Sequence, residues 1–270
     1  ENTDLTHEFV PGDDSSYDIS EESPLDWSVF EPGPYQIGFD DFFVSYTPVG
    51  AENERELRVA YWYPTLDESG DEGRYAQLFS REEVFARATI APDATYPVLI
   101  FSHGYQGIAE QSYFMTEFLA SHGWIVLAPE HTGNSTMDTS VPDHLLNEFR
   151  PQDLSAVVDT MEGLTSEHRL FEHFSDVLAV SGHSFGGYTT LSFSGSGYDM
   201  DTLMSACDTP ESEACLYIDD DIVARYEESF ADPRVDLAIP MAPAGAAIFG
   251  QEGLSEIEIP VLLMTGNLDQ

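Results

Sequence analysis

Short apolar runs alternate with helical patterns through most of the chain beyond Pro97. The runs cover residues 98–101, 124–128, 177–180, 235–239 and 261–264. Between them, residues 111–120 and 154–164 carry apolar side chains at helical spacing, and Pro151 precedes the second segment as a first-turn residue would. Nearly continuous apolar strands are typical of a parallel sheet covered on both faces. The pattern predicts an α/β fold with a mostly parallel, doubly wound sheet.

The remaining segments divide the chain into a leader, a main domain and an insertion. Residues 1–32 are rich in Asp, Glu, Ser, Thr and Pro, so we expect a flexible acidic leader before a domain spanning 33–270. Residues 42–46 and 57–63 have the composition of antiparallel strands. Residues 195–232 interrupt the strand-helix alternation, with one short helix expected over 222–230. We predict that this insertion caps the carboxyl edge of the sheet, where ligands bind in such folds.

The segment 181–187 reads Ser-Gly-His-Ser-Phe-Gly-Gly and directly follows an apolar run. A Gly-x-Ser-x-Gly pattern between a strand and a helix predicts a sharp turn that exposes its serine, with glycines leaving room around it. We therefore predict Ser184 as a nucleophile, with Gly182 and Gly186 shaping the elbow. The alternative is an ordinary glycine-rich turn without a catalytic role.

A second glycine-containing loop, Phe-Ser-His-Gly-Tyr-Gln-Gly over 101–107, follows the first parallel run. In α/β-hydrolases the negatively charged oxygen of an acyl-transfer intermediate is held by the N–H after the nucleophile and by one from this early loop. The predicted oxyanion-hole donors are the backbone N–H groups of Phe185 and Tyr105. Packing alone is the competing explanation for the loop.

The acid and the base of a catalytic triad should follow the nucleophile in that order. Asp269 ends the turn after the run 261–264 and is the predicted acid, which would orient a histidine. The eight histidines all precede it, at positions 7, 103, 122, 131, 144, 168, 173 and 183. Since a serine hydroxyl needs a neighbouring base, we expect the base beyond Gln270, on a C-terminal companion fragment. The last strand and helix of the fold would then be missing from this chain.

Charge excludes several classes of partner. The chain has 50 Asp and Glu against 9 Lys and Arg, for a formal net charge of −41. Nucleic acids and anionic membranes are bound through cationic side chains, so neither is an expected partner. No apolar run approaches the roughly 20 residues of a membrane span. Because salt screens like-charge repulsion, the composition favours a salt-rich habitat, although an acidic protein of a moderate environment remains an alternative.

The two cysteines, Cys207 and Cys215, lie in a polar segment without the additional His or Cys that a metal site would need. A small disulfide loop is the better interpretation. The chain starts at Glu1 without a signal sequence, which we interpret as a processed, secreted or periplasmic form in an oxidising compartment. A trimmed expression product is the alternative.

Taken together, residues 57–269 resemble the plasma-type platelet-activating-factor acetylhydrolases and the related bacterial predicted dienelactone hydrolases. The resemblance is carried by Phe-Ser-His-Gly over 101–104, Leu-Ala-Ser-His-Gly-Trp-Ile-Val over 119–126, Pro-Glu-His over 129–131 and Gly-His-Ser-Phe-Gly-Gly over 182–187. It implies a Ser-Asp-His triad, no metal or organic cofactor, and hydrolysis of short-acyl or otherwise accessible esters. True dienelactone hydrolases use a cysteine nucleophile, whereas this elbow carries serine.

The Gly104-Tyr105 pair and residues 119–123 are also similar to cutinase-like polyester hydrolases, which keeps lipid-type esters and polyesters open as substrates. The predicted function is therefore a serine carboxylic-ester hydrolase. A non-catalytic binding module on the same scaffold and a serine peptidase are the alternatives, because a fold alone does not prove a function.

Overall fold

Eight strands form one sheet in the computed structural model, which describes residues 28–92, 94–205 and 220–267. They are β1 (Gln36–Tyr46), β2 (Arg55–Thr65), β3 (Glu72–Tyr75), β4 (Phe79–Ala86), β5 (Tyr96–Ser102), β6 (Ile125–Glu130), β7 (Phe174–His183) and β8 (Leu237–Met241). Their order across the sheet is β3-β4-β1-β2-β6-β5-β7-β8. The four strands from β6 to β8 are mutually parallel, and β2 joins them antiparallel to β6.

The helices cover both faces of this sheet. They are α1 (Tyr113–Ser121), α2 (Asp143–Glu162), α3 (Phe185–Phe193), α4 (Met200–Ser205), α5 (Asp220–Glu228) and α6 (Gly250–Leu254), with a short 3₁₀ helix at Ala246–Phe249. One core cluster includes Leu154 and Val157 of α2 and Phe193 of α3, while a second cluster includes Ala120 of α1. The sheet is therefore mixed but mostly parallel and wound on both faces, which confirms the predicted fold class.

The order in which the chain adds strands to the sheet reverses at β5. From β5 it first crosses to β6 on one side, and it then returns to pair β7 with the other side of β5. The loops leaving the carboxyl ends of β5 and β7 therefore diverge, and a crevice opens between them, as in other open α/β sheets. Ser102 and Gly182 are register partners at this point.

Two strands at the sheet edge were not predicted from the sequence. β4 carries the polar run Ser80, Arg81, Glu82 and Glu83, and Val84 alone among its residues is fully buried. Such a strand gives little hydrophobic signal because most of its side chains face solvent. The predicted antiparallel strands are confirmed as β1 and β2, both longer than expected.

The prediction that Pro151 begins a helix was wrong. Helix α2 starts at Asp143, and Pro151 lies inside it. Proline lacks the N–H that would bond the carbonyl four residues earlier, which belongs to Asn147. The hydroxyl of Tyr188, on α3, donates to that carbonyl at 3.2 Å instead. A tertiary contact therefore satisfies the backbone group that the sequence pattern left unpaired.

The apolar run 261–264 does not form a full strand. It lies parallel to β8 through two isolated bridges, Ala238 with Val261 and Met241 with Met264. Its side chains remain 42–60% exposed, from Val261 to Met264. Among the described residues, nothing covers this apolar ribbon.

The described parts of the predicted cap are α4 and α5 with their connections. Ile222 and Tyr226 of α5 are buried, and the Tyr226 ring packs edge-on against Tyr198 with centroids 4.6 Å apart. Arg225 Nε donates to Glu148 Oε2 of α2 at 2.5 Å. Cys207, Cys215 and residues 1–27 of the predicted leader lie outside the described residues. None of the described helices has the length and apolar character needed to cross a membrane.

Candidate active site

The turn from β7 into α3 holds Ser184 in a backbone conformation that residues with side chains rarely adopt, with φ of 57° and ψ of −116°. The Ser184 N–H donates to the Met241 carbonyl at 3.0 Å. Its carbonyl accepts the N–H groups of Gly187 at 2.9 Å and Tyr188 at 3.2 Å. These bonds tie the residue to β8 and to α3, so the surroundings hold the strained conformation in place.

Two glycines of the motif are needed for backbone contacts at this turn. A Cβ on Gly182 would lie 2.3 Å from the Gly186 carbonyl oxygen, and a Cβ on Gly186 would lie 1.9 Å from the Ser102 carbonyl oxygen. Neither contact is possible without movement of the backbone. The glycines therefore let the elbow pack directly against the end of β5, which starts the predicted oxyanion loop.

The predicted oxyanion donors, Tyr105 and Phe185, lie on either side of the crevice, with ring centroids 6.2 Å apart. The N–H of Phe185 is the first of α3 and cannot bond within the helix. The N–H of Tyr105 lies in the turn closed by the bond from Gly107 N–H to the Gly104 carbonyl. Among the described residues, neither N–H donates to an acceptor, so both remain available to a ligand.

Ser184 lines an open cleft of about 380 Å³ at this end of the sheet. The cleft is mostly apolar, as ligand pockets usually are, and its described lining comes from the predicted oxyanion loop, α2, α3 and the segment after β8. It includes Tyr105, Asp143, Leu146, Asn147, Phe185, Tyr188, Ala244, Gly245 and Ile248. The Tyr105 hydroxyl donates to Asp143 Oδ1 at 2.8 Å, which raises the pKa of this tyrosine. No described residue of the predicted cap contributes to the lining.

A larger hollow of about 490 Å³ lies at the opposite end of β7, beside Phe174 and Val177. It is at the amino edge of the parallel strands, whereas ligands of open α/β sheets bind at the carboxyl edge. The cleft at Ser184 is therefore the better candidate for a substrate site.

The structure places no histidine of its described residues against the Ser184 hydroxyl. His183 is exposed beside Ser184, and its Nδ1 lies 3.2 Å from Gln111 Nε2. His103 is fully buried, and its Nδ1 donates to the Gly104 carbonyl at 2.7 Å. The expected acid, Asp269, lies outside the described residues. The assignments of Ser184, Asp269, Tyr105 and Phe185 thus remain predictions.

A buried Ser-His-Asp chain lies directly beneath the site. The Ser102 hydroxyl is 2.9 Å from His131 Nε2, and His131 Nδ1 is 2.7 Å from Asp153 Oδ2. Burial, with the Arg150 charge, lowers the pKa of His131 to about 3, so its imidazole is neutral and accepts the serine proton in a hydrogen bond. All three residues are completely buried. No substrate reaches Ser102, so this hydrogen-bonded series of side chains has a structural role.

Asp153 stays ionised within this cluster. Burial alone would raise its pKa, but the adjacent Arg55 guanidinium and the His131 hydrogen bond lower it to about 2. Arg55 donates to both carboxylate oxygens, at 2.7 and 3.0 Å. Within the described ranges, no group of three or more His, Cys, Asp or Glu side chains is arranged to hold a metal ion.

Comparisons with known proteins bear on the fold and on the family resemblance. A solved ferulic acid esterase from Streptomyces cinnamoneus superposes with a TM-score of 0.55 at 21% sequence identity, over 85% of this chain and 64% of that one. The present chain therefore spans less than two thirds of the length of that esterase. In the present chain, the order of the strands and the strand-turn-helix at Ser184 are those of one well-known architecture.

The chain has an α/β-hydrolase fold. The profile of the platelet-activating factor acetylhydrolase, isoform II, family matches residues 75–167 of this hydrolase-fold chain. The match confirms the resemblance predicted from the sequence, and it covers the predicted oxyanion loop and His131 but stops before Ser184. No curated protein matches the chain significantly.

Sequence reasoning missed two residues that position the loops of this hydrolase fold. Gln111 Oε1 accepts the Gly104 N–H at 2.7 Å, and Arg150 is a completely buried cation that donates to the His103 carbonyl of the same loop. Gln111 follows a loop and carries no motif, so no signal marks it. An arginine at a position of apolar periodicity on α2 was a usable signal, since arginine is almost never fully buried without a partner.

Proposed function

We propose that this chain is the larger part of a serine carboxylic-ester hydrolase that forms an acyl-enzyme at Ser184. The observation that carries the proposal is the strained Ser184, which lines an apolar cleft beside two unbonded N–H groups. Both comparisons, with an acetylhydrolase family and with a ferulic acid esterase, support ester hydrolysis as the reaction class.

In this mechanism the Ser184 hydroxyl attacks the ester carbonyl carbon while a base accepts its proton. The N–H groups of Tyr105 and Phe185 bind the oxygen that becomes negatively charged. Collapse of the intermediate releases the alcohol, which takes the proton from the base. Water then repeats the attack on the acyl-enzyme, and the carboxylic acid leaves.

The size of the cleft favours a short or slender acyl group. Its volume of about 380 Å³ is near the lower end of ligand pockets, which run from about 300 to 1,000 Å³. The aromatic rings of Tyr105, Phe185 and Tyr188 supply apolar walls. Its openness to solvent is compatible with an ester on a lipid or on a polymer, whose bulk stays outside the cleft.

We propose that Asp269 and a histidine on a C-terminal companion segment complete the triad. The support is the uncovered ribbon at 261–264, where Leu262 and Leu263 are 60% and 57% exposed beside β8. An exposed apolar strip of this kind marks a contact surface. A further strand and helix packed there would reach the carboxyl edge that carries Ser184.

Active-site labelling tests the proposed function on the complete protein. We expect a fluorophosphonate to label Ser184 and to block hydrolysis of a short-acyl p-nitrophenyl ester, because the probe mimics the tetrahedral intermediate. Ser184→Ala should abolish both with an unchanged fold. The matched control is Ser181→Ala, since the Ser181 hydroxyl is buried and donates to the Ile239 carbonyl at 2.8 Å; this variant should still be labelled.

The possible outcomes separate the alternatives. A complete protein that neither reacts with the probe nor cleaves the ester is a binding module on this scaffold. Labelling with cleavage of amides rather than esters indicates a peptidase. Mass spectrometry of the active material tests the companion segment, because full activity in a sample containing residues 1–270 alone would contradict it.

A further inference from the structure

Arg150 carries a buried positive charge that stability alone does not explain. Its side chain is completely buried in the middle of α2, and burial lowers its pKa to about 9 despite the nearby Asp153. Its hydrogen-bond acceptors are neutral. A buried charge with neutral partners loses its hydration, and no ion pair offsets that cost. An apolar side chain often stabilises such a position better.

The guanidinium joins the two segments that carry the proposed oxyanion donors. Nη2 donates to the His103 carbonyl, two residues before Tyr105, and to the Ser102 hydroxyl at 3.0 Å. Nε donates to Thr189 Oγ1 of α3 at 3.1 Å, and the guanidinium carbon lies 4.6 Å from the centre of the Phe185 ring. One planar group thus touches the oxyanion loop and the start of α3 together.

A third loop is attached to the same group. Nη1 of Arg150 donates to Asn134 Oδ1 at 2.7 Å. Two residues later, Thr136 donates its hydroxyl to the Gln106 carbonyl at 2.7 Å and its N–H to the Gly107 carbonyl at 3.0 Å. Arg150 therefore also steadies the loop that supports the far side of the Tyr105 turn.

The backbone on both sides of Tyr105 is fixed by these contacts. The Gly104 N–H is taken by Gln111, and the Gly104 carbonyl accepts from His103 Nδ1 and from the Gly107 N–H. The Gln106 carbonyl is taken by Thr136. Among the described residues, the Tyr105 N–H is left without an acceptor, although the Gly104 carbonyl before it and the Gln106 carbonyl after it are both bonded.

The buried Ser102-His131-Asp153 chain supports Arg150 from below. Ser102 donates its proton to neutral His131 and so presents its oxygen lone pairs to Arg150 Nη2. His131 is oriented in turn by Asp153. The atom order of a catalytic triad serves here to orient one acceptor of the guanidinium.

We propose that Arg150 is a positioning residue that sets the geometry of the Tyr105 and Phe185 N–H groups toward the oxyanion. The proposal rests on the ester-hydrolase function proposed above. Because the oxyanion exists only in the tetrahedral states, a displaced donor lowers kcat and leaves substrate binding nearly unchanged.

The test uses Arg150→Lys in the complete protein, with kcat and KM measured on a short-acyl p-nitrophenyl ester. Lysine keeps the charge but lacks the planar fork that reaches four acceptors. We expect kcat to fall about 10- to 100-fold, a smaller loss than the factor of about 10²–10³ that follows removal of a whole oxyanion donor. KM should stay within about threefold of the wild-type value. The rate of fluorophosphonate labelling should fall in parallel.

Arg169→Lys is the matched control. Arg169 also donates to neutral acceptors, the Tyr63 hydroxyl at 3.1 Å and the Ala88 carbonyl at 2.7 Å, and lies over the Tyr63 ring. It differs from Arg150 in also pairing with Asp40, at 2.9 Å, and in lying remote from Ser184. This variant should lose stability and retain kcat. Equal losses of kcat in both variants would reduce Arg150 to a structural residue.

A milder variant keeps the test decisive if Arg150→Lys does not fold. Thr189→Val removes one acceptor of the guanidinium and should give a smaller loss of kcat with unchanged KM. A folded Arg150→Lys or Thr189→Val enzyme with wild-type kcat overturns the proposal. A wild-type protein that is silent toward both ester and probe instead removes the proposed function, and this inference with it.

Discussion

At the scale of single residues, the strained backbone of Ser184 has a measurable thermodynamic consequence. Its φ of 57° belongs to a region that glycine adopts readily and that a Cβ atom disfavours. The bonds to Met241, Gly187 and Tyr188 compel the residue to stay there. The site therefore stores backbone strain while placing Ser184 in the wall of the cleft.

We predict that Ser184→Gly is more stable than Ser184→Ala by about 1 kcal/mol, because only alanine retains the disfavoured Cβ. Urea unfolding of the two inactive variants measures the difference. The control is Ser194, whose φ of −86° suits any residue; there glycine should be no better than alanine. An alanine variant at 184 as stable as the glycine variant would mean that the elbow is unstrained.

The turn that carries Ser184 was predictable from the sequence, whereas the residues that support it were not. Ser184 and its two glycines lie within five positions, so local backbone geometry leaves a local pattern. Arg150 and Gln111 act through contacts with residues 39 and 7 positions away, at Thr189 and Gly104. A single sequence does not record such contacts.

At the scale of elements, the start of α2 was predicted wrongly because the carbonyl that Pro151 leaves unbonded finds its donor on another helix. The hydroxyl of Tyr188, on α3, donates to this Asn147 carbonyl, and that bond allows Pro151 to lie inside α2. The strands β5 to β8 were predictable from their apolar runs, since both faces of those strands are covered. β3 and β4 were not, because β4 pairs with the edge of β1 and β3 with β4, and their own side chains give little hydrophobic pattern.

A double-mutant cycle tests the account of Pro151. Tyr188→Phe leaves the Asn147 carbonyl without its donor, which should cost about 1–3 kcal/mol. In a Pro151→Ala background the cost should be smaller, because the restored N–H bonds that carbonyl within the helix. The free energy of unfolding in urea gives the coupling between the two positions.

Tyr198→Phe serves as the control for this cycle. The Tyr198 hydroxyl contacts Tyr188 and Ser192, at 3.1 and 2.7 Å, but not the Asn147 carbonyl. Its coupling to Pro151→Ala should be near zero. The same coupling for both tyrosines would show that Pro151 acts through general packing of α2 on α3.

At the scale of the whole molecule, the few cations are used for internal structure and leave the acidic surface uncompensated. Within the part of the chain that the structure describes, six of the nine arginines form ion pairs with carboxylates, namely Arg55, Arg58, Arg81, Arg169, Arg225 and Arg234. Arg58 alone contacts Asp41, Glu110 and Glu130. The 50 acids of the sequence outnumber its nine cations more than fivefold, so most of the negative charge is not neutralised.

This charge distribution predicts that salt stabilises the fold. Between about 0.1 and 1 M NaCl the Debye length falls from about 10 to 3 Å, so repulsion among exposed carboxylates is largely removed. We expect the urea midpoint of unfolding to rise over this range. Replacing the exposed residues Glu52, Glu54, Glu82 and Glu83 with Gln should raise the midpoint at low salt and shrink the gain. An equal gain in wild type and variant would instead assign the effect to exclusion of salt from the protein surface.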